Sequence, residues 1–402
     1  MNTLLEEAKK LQNTLIKHRR YIHENAEIDM ELPITSKYVM DKLTELGYAP
    51  KEICKSGIVA IAGGKKPGKT FLLRADMDAL PIVEETDEPF KSKTSYMHAC
   101  GHDLHTAMLL GAAKLLKDHE DEIEGQVKLM FQPAEEPIKG AEAMIKAGVL
   151  ENPKVDAAMM IHVATGTPFP SGLLIVRHAG IVSSASDWFT IKVKGKGGHS
   201  SAPNLTIDPL NVLSHIFIAL EGINARELAP ADNAAITVGQ MHGGNTSNVI
   251  PDTAFLSGTI RTFNSTTRTF IKKRLEEIAT SVAKTFRAEA VVEYSCCCPS
   301  LINDAKLVNA FKDYTSALVG ADRVIDADEA QNGAYSTMTG SEDFGYVTEL
   351  VPSIMIGLTA GSTASGYIYP HHHPKTSFDE DPLYIGSAAY ANMAIEWLNN
   401  AK

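Results

Sequence analysis

The sequence predicts an α/β protein built on a mostly parallel sheet, with a ferredoxin-like α+β unit inserted into it. Two observations carry that prediction. Short apolar runs at residues 58–62, 71–75, 127–131, 157–161 and 353–358 alternate with helical patterns, and strands separated by helices indicate a parallel sheet. Between the fourth and fifth of these runs the rhythm changes to β-α-β-β-α-β, the order of a ferredoxin-like unit. A chain of 402 residues agrees with two domains at roughly 100–200 residues each.

The elements follow in order. The opening MNTLLEEAKKLQNTLIKHRRYIHE reads as one amphipathic helix with Leu4, Leu5, Leu11, Leu15 and Ile16 along one side. It lacks the apolar stretch and small-residue cleavage site of a signal peptide. Residues 22–38 read as turns between helices. The run GGKKPGK at 63–69 lacks the GxxxxGK[ST] spacing of a phosphate loop and reads as a hairpin turn between two strands. Residues 104–116 form a helix apolar nearly all round, which predicts burial. The strand at 127–131 ends in QPAEE, and the strand at 157–161 ends at His162.

In the inserted part, residues 188–194 form a strand with Phe189, Ile191 and Val193 on one face, and Asp208 starts a helix running to about residue 227. Strands at 234–241 and 253–263 are joined through HGGNTSNVIPD; Ser265 caps a helix to 286, and 288–294 is the closing strand. The boundaries are therefore 1–185 with 296–402 for the larger domain and 186–295 for the insert.

Composition narrows the function. With 44% hydrophobic and 22% charged residues this is an ordinary soluble globular chain, and no window approaches the ~18–20 apolar residues of a membrane span. A net charge of −11 argues against nucleic acid or an anionic membrane as partner. Five cysteines, three of them adjacent, make no disulfide framework, so a reducing cytoplasm is the expected compartment. Cys296, Cys297 and Cys298 cannot converge on one ion near a strand end, where side chains alternate sides. Cys54 reads as a buried small hydrophobe. His18, His23, His119, His178, His215 and His242 have no neighbours in sequence that suggest ligation.

The densest chemical signal is His98, Cys100, His102 and His105 within eight residues, opening the buried helix. Thiol and imidazole are ligands for Zn²⁺ and similar ions, whereas surface histidines with Asp103 as a helix N-cap would be the plain alternative. Position weighs against the plain alternative. Asp76 and Asp78, Glu135 and Glu136, His162, and the triplet His371, His372, His373 each follow or end an apolar strand. Ligands of open α/β sheets bind beyond the carboxyl ends of the strands. Adjacent Glu135 and Glu136 can divide the work of metal-assisted hydrolysis, one ligating and one moving protons.

These residues resemble the aminoacylase and carboxypeptidase-like metallohydrolases, in particular the amidohydrolase branch with hippurate hydrolases, auxin-conjugate hydrolases and N-acetyldiaminopimelate deacetylases. The resemblance rests on RADMDALP (74–81), HACGHDLHTAMLLGAA (98–113), FQPAEE (131–136), IH (161–162), GKGGHSSAP (195–203), NVIPD (248–252), GTIRT (258–262), GSEDF (340–344) and HHHPK (371–375). It implies a zinc-hydrolase-type catalytic domain with an inserted dimerisation or lid domain. It implies Cys100, His102, Glu136, His162 and His372 as ligands of two divalent metal ions, with His373 the alternative to His372. Glu135 becomes the general base, and Asp78 and Asp103 orient ligands. His199 stabilises the oxyanion, and Asn248 and Arg261 bind the substrate carboxylate. Zn²⁺ is the first expectation, with Mn²⁺ or Co²⁺ as alternatives. The expected reaction is hydrolysis of the amide of an N-acyl-L-amino acid by a homodimer; a dipeptidase or carboxypeptidase with the same chemistry is the alternative. A cysteine hydrolase using Cys100 and His102, and a non-catalytic metal-binding protein, are the rivals from other classes.

Overall fold

The computed structural model describes residues 2–333, 337–338 and 340–401. The chain divides into two compact units. One comprises Met1–Val182, Ile302–Met338 and Asp343–Lys402; the other comprises Ser183–Leu301 and Thr339–Glu342.

The chain first lays down six strands of a large sheet: β1 (Lys51–Cys54), β2 (Gly57–Gly63), β3 (Thr70–Asp76), β4 (Gln126–Gln132), β5 (Ala157–Ala164) and β6 (Leu174–Val176). It then builds the second unit with β7 (Ala185–Lys194), β8 (Ala234–Gly243), β9 (Thr253–Thr262) and β10 (Glu289–Cys298), and returns with β11 (Val324–Asp326) and β12 (Ser353–Thr359). The large sheet has the order β1-β2-β4-β3-β5-β12-β6-β11. Its centre, β4-β3-β5-β12, is parallel throughout, and antiparallel pairs occur only towards the two edges. The composition explains why. TFLLRAD and SIMIGLT are buried at every position, as strands covered on both faces must be.

Helix α1 (Gln12–Glu24) packs on helix α2 (His102–Asp118) and on the helix Leu383–Asn400 near the C-terminus, and these two lie against this sheet. The apolar α2 lies in the core as its pattern predicts, with Leu104, Met108, Leu109 and Leu116 buried. Three local expectations change. The opening helix breaks at Leu11 into Asn2–Lys10 and Gln12–Glu24, which leaves both Leu4 and Leu15 buried. The turn between helices expected over 22–38 is shorter, 25–32, because one helix runs on to Glu24 and Pro33 starts the next, Pro33–Glu45, where the Glu27 carboxylate accepts from the Ile34 and Thr35 amides at its open end. The 63–69 segment is not a hairpin: β4 lies between β2 and β3, and the segment crosses its start, with Gly64 N–H on Gly125 O and Gln126 N–H on Lys69 O.

The second unit is a four-stranded antiparallel sheet in the order β8-β9-β7-β10, with helices α3 (Pro209–Gly222) and α4 (Ser265–Thr285). This is the β-α-β-β-α-β order read from the sequence. Phe189, Ile191 and Val193 meet Val212 and Ile216 of α3 and Ile271 and Leu275 of α4 in its core. Asp208 caps α3 by accepting from Leu210 and Asn211 amides, and the expected continuation to 227 is a wider π-type turn, Ile223–Glu227. Asn264, rather than Ser265, caps α4. Strand β10 runs through all three consecutive cysteines instead of ending before them, and Cys54 is half-buried.

Candidate metal centre

The carboxyl ends of β3, β4 and β5 and the start of α2 gather the titratable side chains of the large unit. Gly101 makes the turn into α2 at φ +88°, a conformation that suits glycine. It separates Cys100 from His102, both buried. His102 donates from Nδ1 to the Asp78 carbonyl at 2.8 Å. That fixes its tautomer and leaves Nε2 buried with no hydrogen-bond partner, 3.8 Å from Glu135 Oε2. His162 repeats the arrangement: Nδ1 donates to the Val163 carbonyl at 2.7 Å, and Nε2 lies 3.6 Å from Cys100 Sγ. An imidazole whose far nitrogen is tied to a carbonyl is the usual form of a metal-ligating histidine.

Asp78 explains how two adjacent glutamates face one place. Its Oδ1 accepts from the Glu135 amide at 2.9 Å and its Oδ2 from the Glu136 amide at 3.1 Å. The chain turns there through Ala134 at φ +54°. The potential ligand atoms form overlapping groups, each within 4.8 Å: Cys100 with His102 and His162, Cys100 with Glu136 and His372, and His102 with Glu135 and Glu136. The structure thus brings together all five expected ligands and the expected base.

Within the triplet, the three histidines differ. His372 sits at φ +63°, its amide on the Ala99 carbonyl and its Nε2 3.5 Å from Glu136 Oε1. A non-glycine residue held there is strained, and such strain concentrates at functional sites. His371 stacks on His162 at 5.4 Å. His373 turns away, stacking on Tyr369 and accepting from the Lys375 amide.

Burial and the neighbouring charges shift the protonation of the donors. Burial pushes the Cys100 thiol well up, with Glu136 adding to it. Burial and the neighbouring Asp78 and Asp76 push Glu136 up to about 7. Burial works against a charged His102, but Asp76 and Cys100 outweigh it and raise its pKa. Burial and the nearby His105 lower His162. A thiol, two imidazoles whose Nε2 atoms face the cluster and a half-buried carboxylate are a mixed S, N and O donor set. Zn²⁺, Mn²⁺ or Co²⁺ would fit it.

Asp103 does not join this cluster through any bond found among the described residues. Its Oδ2 accepts from Arg19 Nε and His23 Nδ1, both at 2.8 Å. His23, which sequence gives no neighbours, is buried there and also reaches Glu84. His199, Asn248 and Arg261 belong to the second unit. Register pairs Val249 with His199 in a small two-stranded antiparallel sheet, which sets His199 beside Asn248, both exposed. Arg261, on β9, donates to Ser341 Oγ at 2.8 Å.

Sequence reasoning missed the buried polar network behind the site: Arg74, Gln132 and Asp343. Arg74 donates to Asp76, Gln132 and Asp343, and all four are buried. An arginine inside an otherwise apolar strand was the available signal.

The family model of peptidase family M20/M25/M40 matches residues 72–396. The chain belongs to this family. It is 37% identical to thermostable carboxypeptidase 2 of Saccharolobus solfataricus, over 98% of each chain. It is 36% identical to the N-acetyl-L-cysteine deacetylase of Bacillus subtilis, over 94% of this chain and 86% of that one. Among solved structures it resembles a Bacillus subtilis protein described as a dinuclear metal-binding peptidase of the M20 family. The TM-score is 0.79 at 30% identity, covering 97% of this chain and 99% of that one. As an M20 chain it is a hydrolase of amide bonds. The fold expected from its sequence, a mostly parallel α/β sheet, is that of these neighbours.

Proposed function

We propose that this protein removes the acyl group from N-acyl-L-amino acids, giving a carboxylic acid and a free amino acid. Two divalent metal ions would be held by Cys100, His102, Glu136, His162 and His372. Bound there, they would polarise the amide carbonyl and lower the pKa of a bound water to about 7. The observation that carries the reading is the Asp78 clamp, which presents Glu135 and Glu136 side by side to buried Cys100 and His102. Glu136 ligates, and Glu135 takes the proton of the attacking water and delivers it to the leaving amine. His199 stabilises the oxyanion. Arg261 and Asn248 hold the free α-carboxylate of the leaving amino acid, a task suited to an arginine fork. Asp78 and Asp103 orient what surrounds them, Asp78 through the two amides and Asp103 through Arg19 and His23.

The large part, 1–185 with 296–402, is the catalytic domain in this reading. The insert, 186–295, is a lid that pairs two copies into a homodimer and lends His199 to a site; the compartment is the cytoplasm. Similarity to a named carboxypeptidase supports a second reading, in which the acyl group is itself an aminoacyl or peptidyl group and the chemistry is unchanged.

Paired variants test the assignment. Glu135→Gln should keep its metal and its fold yet lose ~10²–10⁴-fold in kcat, as when a general base is removed. Glu136→Gln should lose metal affinity. Metal binding unchanged in both, with Glu135→Gln still turning over well, would refute it.

A further inference from the structure

His105 carries the same ligand type as its neighbours and lies in a group with Asp76 and His102 whose potential ligand atoms are within 4.8 Å of one another. Its bonds give it a different role. Strand β3 pairs with β5 only as far as Arg74 opposite Met160. Beyond that point β3 continues along β4 to Asp76, while β5 continues along β12 to Ala164. The sheet therefore splits between β3 and β5 just before His162, and the β5 amides on that side lose their ladder partners.

Two side chains from the covering helices bridge the split. Ile161 N–H donates to Tyr390 Oη at 2.7 Å, and the hydroxyl donates onward to the Arg74 carbonyl at 2.8 Å. One step further, Val163 N–H donates to His105 Nε2 at 2.8 Å, and His105 Nδ1 donates to Asp76 Oδ1 at 2.6 Å. Asp76 is fixed in turn: its other oxygen accepts from Arg74 at 2.7 Å, its carbonyl from Thr106 Oγ1 at 2.7 Å, and Arg74 is tied to Asp343. Both ring nitrogens of His105 are thus committed to the protein, and no lone pair remains for an ion. The ring stands edge-on to His162 at 4.7 Å and lies 5.4 Å from His102.

We propose that His105 is a positioning residue. It replaces the missing β3 partner, holds the sheet open at the split, and fixes the backbone on both sides of His162, together with Tyr390, so that His162 Nε2 faces Cys100. Asp76 selects the tautomer this needs. The inference rests on the metal-centre reading above. Neither Asp76 nor His105 is then a ligand, although both lie among the ligands in sequence and in space.

Calorimetric titration of metal-free protein with Co²⁺ tests it. Wild type should take up two ions. His105→Ala should bind one of them ~10–100-fold more weakly, the effect typical of removing a group that orients a ligand. His105→Phe keeps a ring but no hydrogen bonds and should be as weak as His105→Ala, whereas His105→Gln, with a donor and an acceptor, should recover most of the affinity. Wild-type affinity in His105→Ala, or in His105→Phe, would overturn the proposal. Wild type that takes up no Co²⁺ would instead overturn the metal-centre reading and this proposal with it. If the variants do not fold, ¹⁵N-histidine spectra of the wild type decide. His105 should show Nδ1 protonated and Nε2 bare, and neither should shift as a ligand does when Zn²⁺ is added; a ligand-type shift at Nε2 contradicts the proposal.

Discussion

Asp78 shows how much one carboxylate can arrange. By accepting from two successive amides it fixes the turn that carries Glu135 and Glu136, and its own carbonyl fixes the tautomer of His102. The site it organises holds protons that a cation must displace. Burial raises the Cys100 thiol and brings Glu136 up to about 7, while Asp76 raises His102 against the effect of burial. A group with a raised pKa stays protonated to higher pH, and a protonated group cannot ligate. Metal uptake should therefore release protons, and affinity should rise with pH through about 7. Below that, affinity falls by about tenfold per pH unit for each proton displaced. Titrations in two buffers of different ionisation enthalpy measure the release directly; affinity independent of pH between 6 and 8 contradicts it. At this scale the sequence was legible wherever function needs several unusual residues close together, as in HACGHD. It was silent where partners are far apart. His23 gained a role only when the fold brought it to Asp103, 80 residues away, and to Glu84.

Between residues and molecule, the elements decide where chemistry can occur. Strands β5 and β12 announced themselves by almost unbroken apolar runs, because burial on both faces favours apolar side chains at successive positions, and β3 did so despite the buried Arg74 within it. Caps and crossings were harder to read. Ser265 and Asn264 are both good capping residues, and only the backbone shows that Asn264 accepts the amides. Nothing in GGKKPGK announces that β4, supplied more than fifty residues later, will lie between the two strands it joins. The turn into α2 is the most exposed to perturbation. A Cβ on Gly101 would lie 2.4 Å from Val163 Cγ2 and 3.1 Å from Phe378, at a φ of +88° that L-residues rarely adopt. Gly101→Ala should therefore destabilise the fold by more than ~1 kcal/mol and weaken metal binding, since it displaces Cys100 and His102 together. Thermal melts with and without Co²⁺ measure both effects; an unchanged melting temperature would mean that the turn is not under this constraint.

For the molecule as a whole, the split of labour between two units follows the sequence's change of rhythm. The large unit carries the candidate ligands and base at the carboxyl ends of its parallel strands and in the turns beside them; the second unit carries Arg261 on its four-stranded antiparallel sheet and His199 and Asn248 at a separate two-stranded one. None of the described helices is long and apolar enough to cross a membrane. In the proposed homodimer the second unit joins the copies, and a strictly monomeric protein with full activity contradicts that assembly. The central claim is that amide hydrolysis here depends on two metal ions held by the large unit, and it can be tested in one titration. Metal-free protein is titrated with Co²⁺ or Zn²⁺ while release of free amino acid from N-acetyl and N-benzoyl amino acids and dipeptides is followed. The account predicts no turnover without metal and a rise to a plateau at two ions per chain. Full activity in the metal-free protein would contradict it.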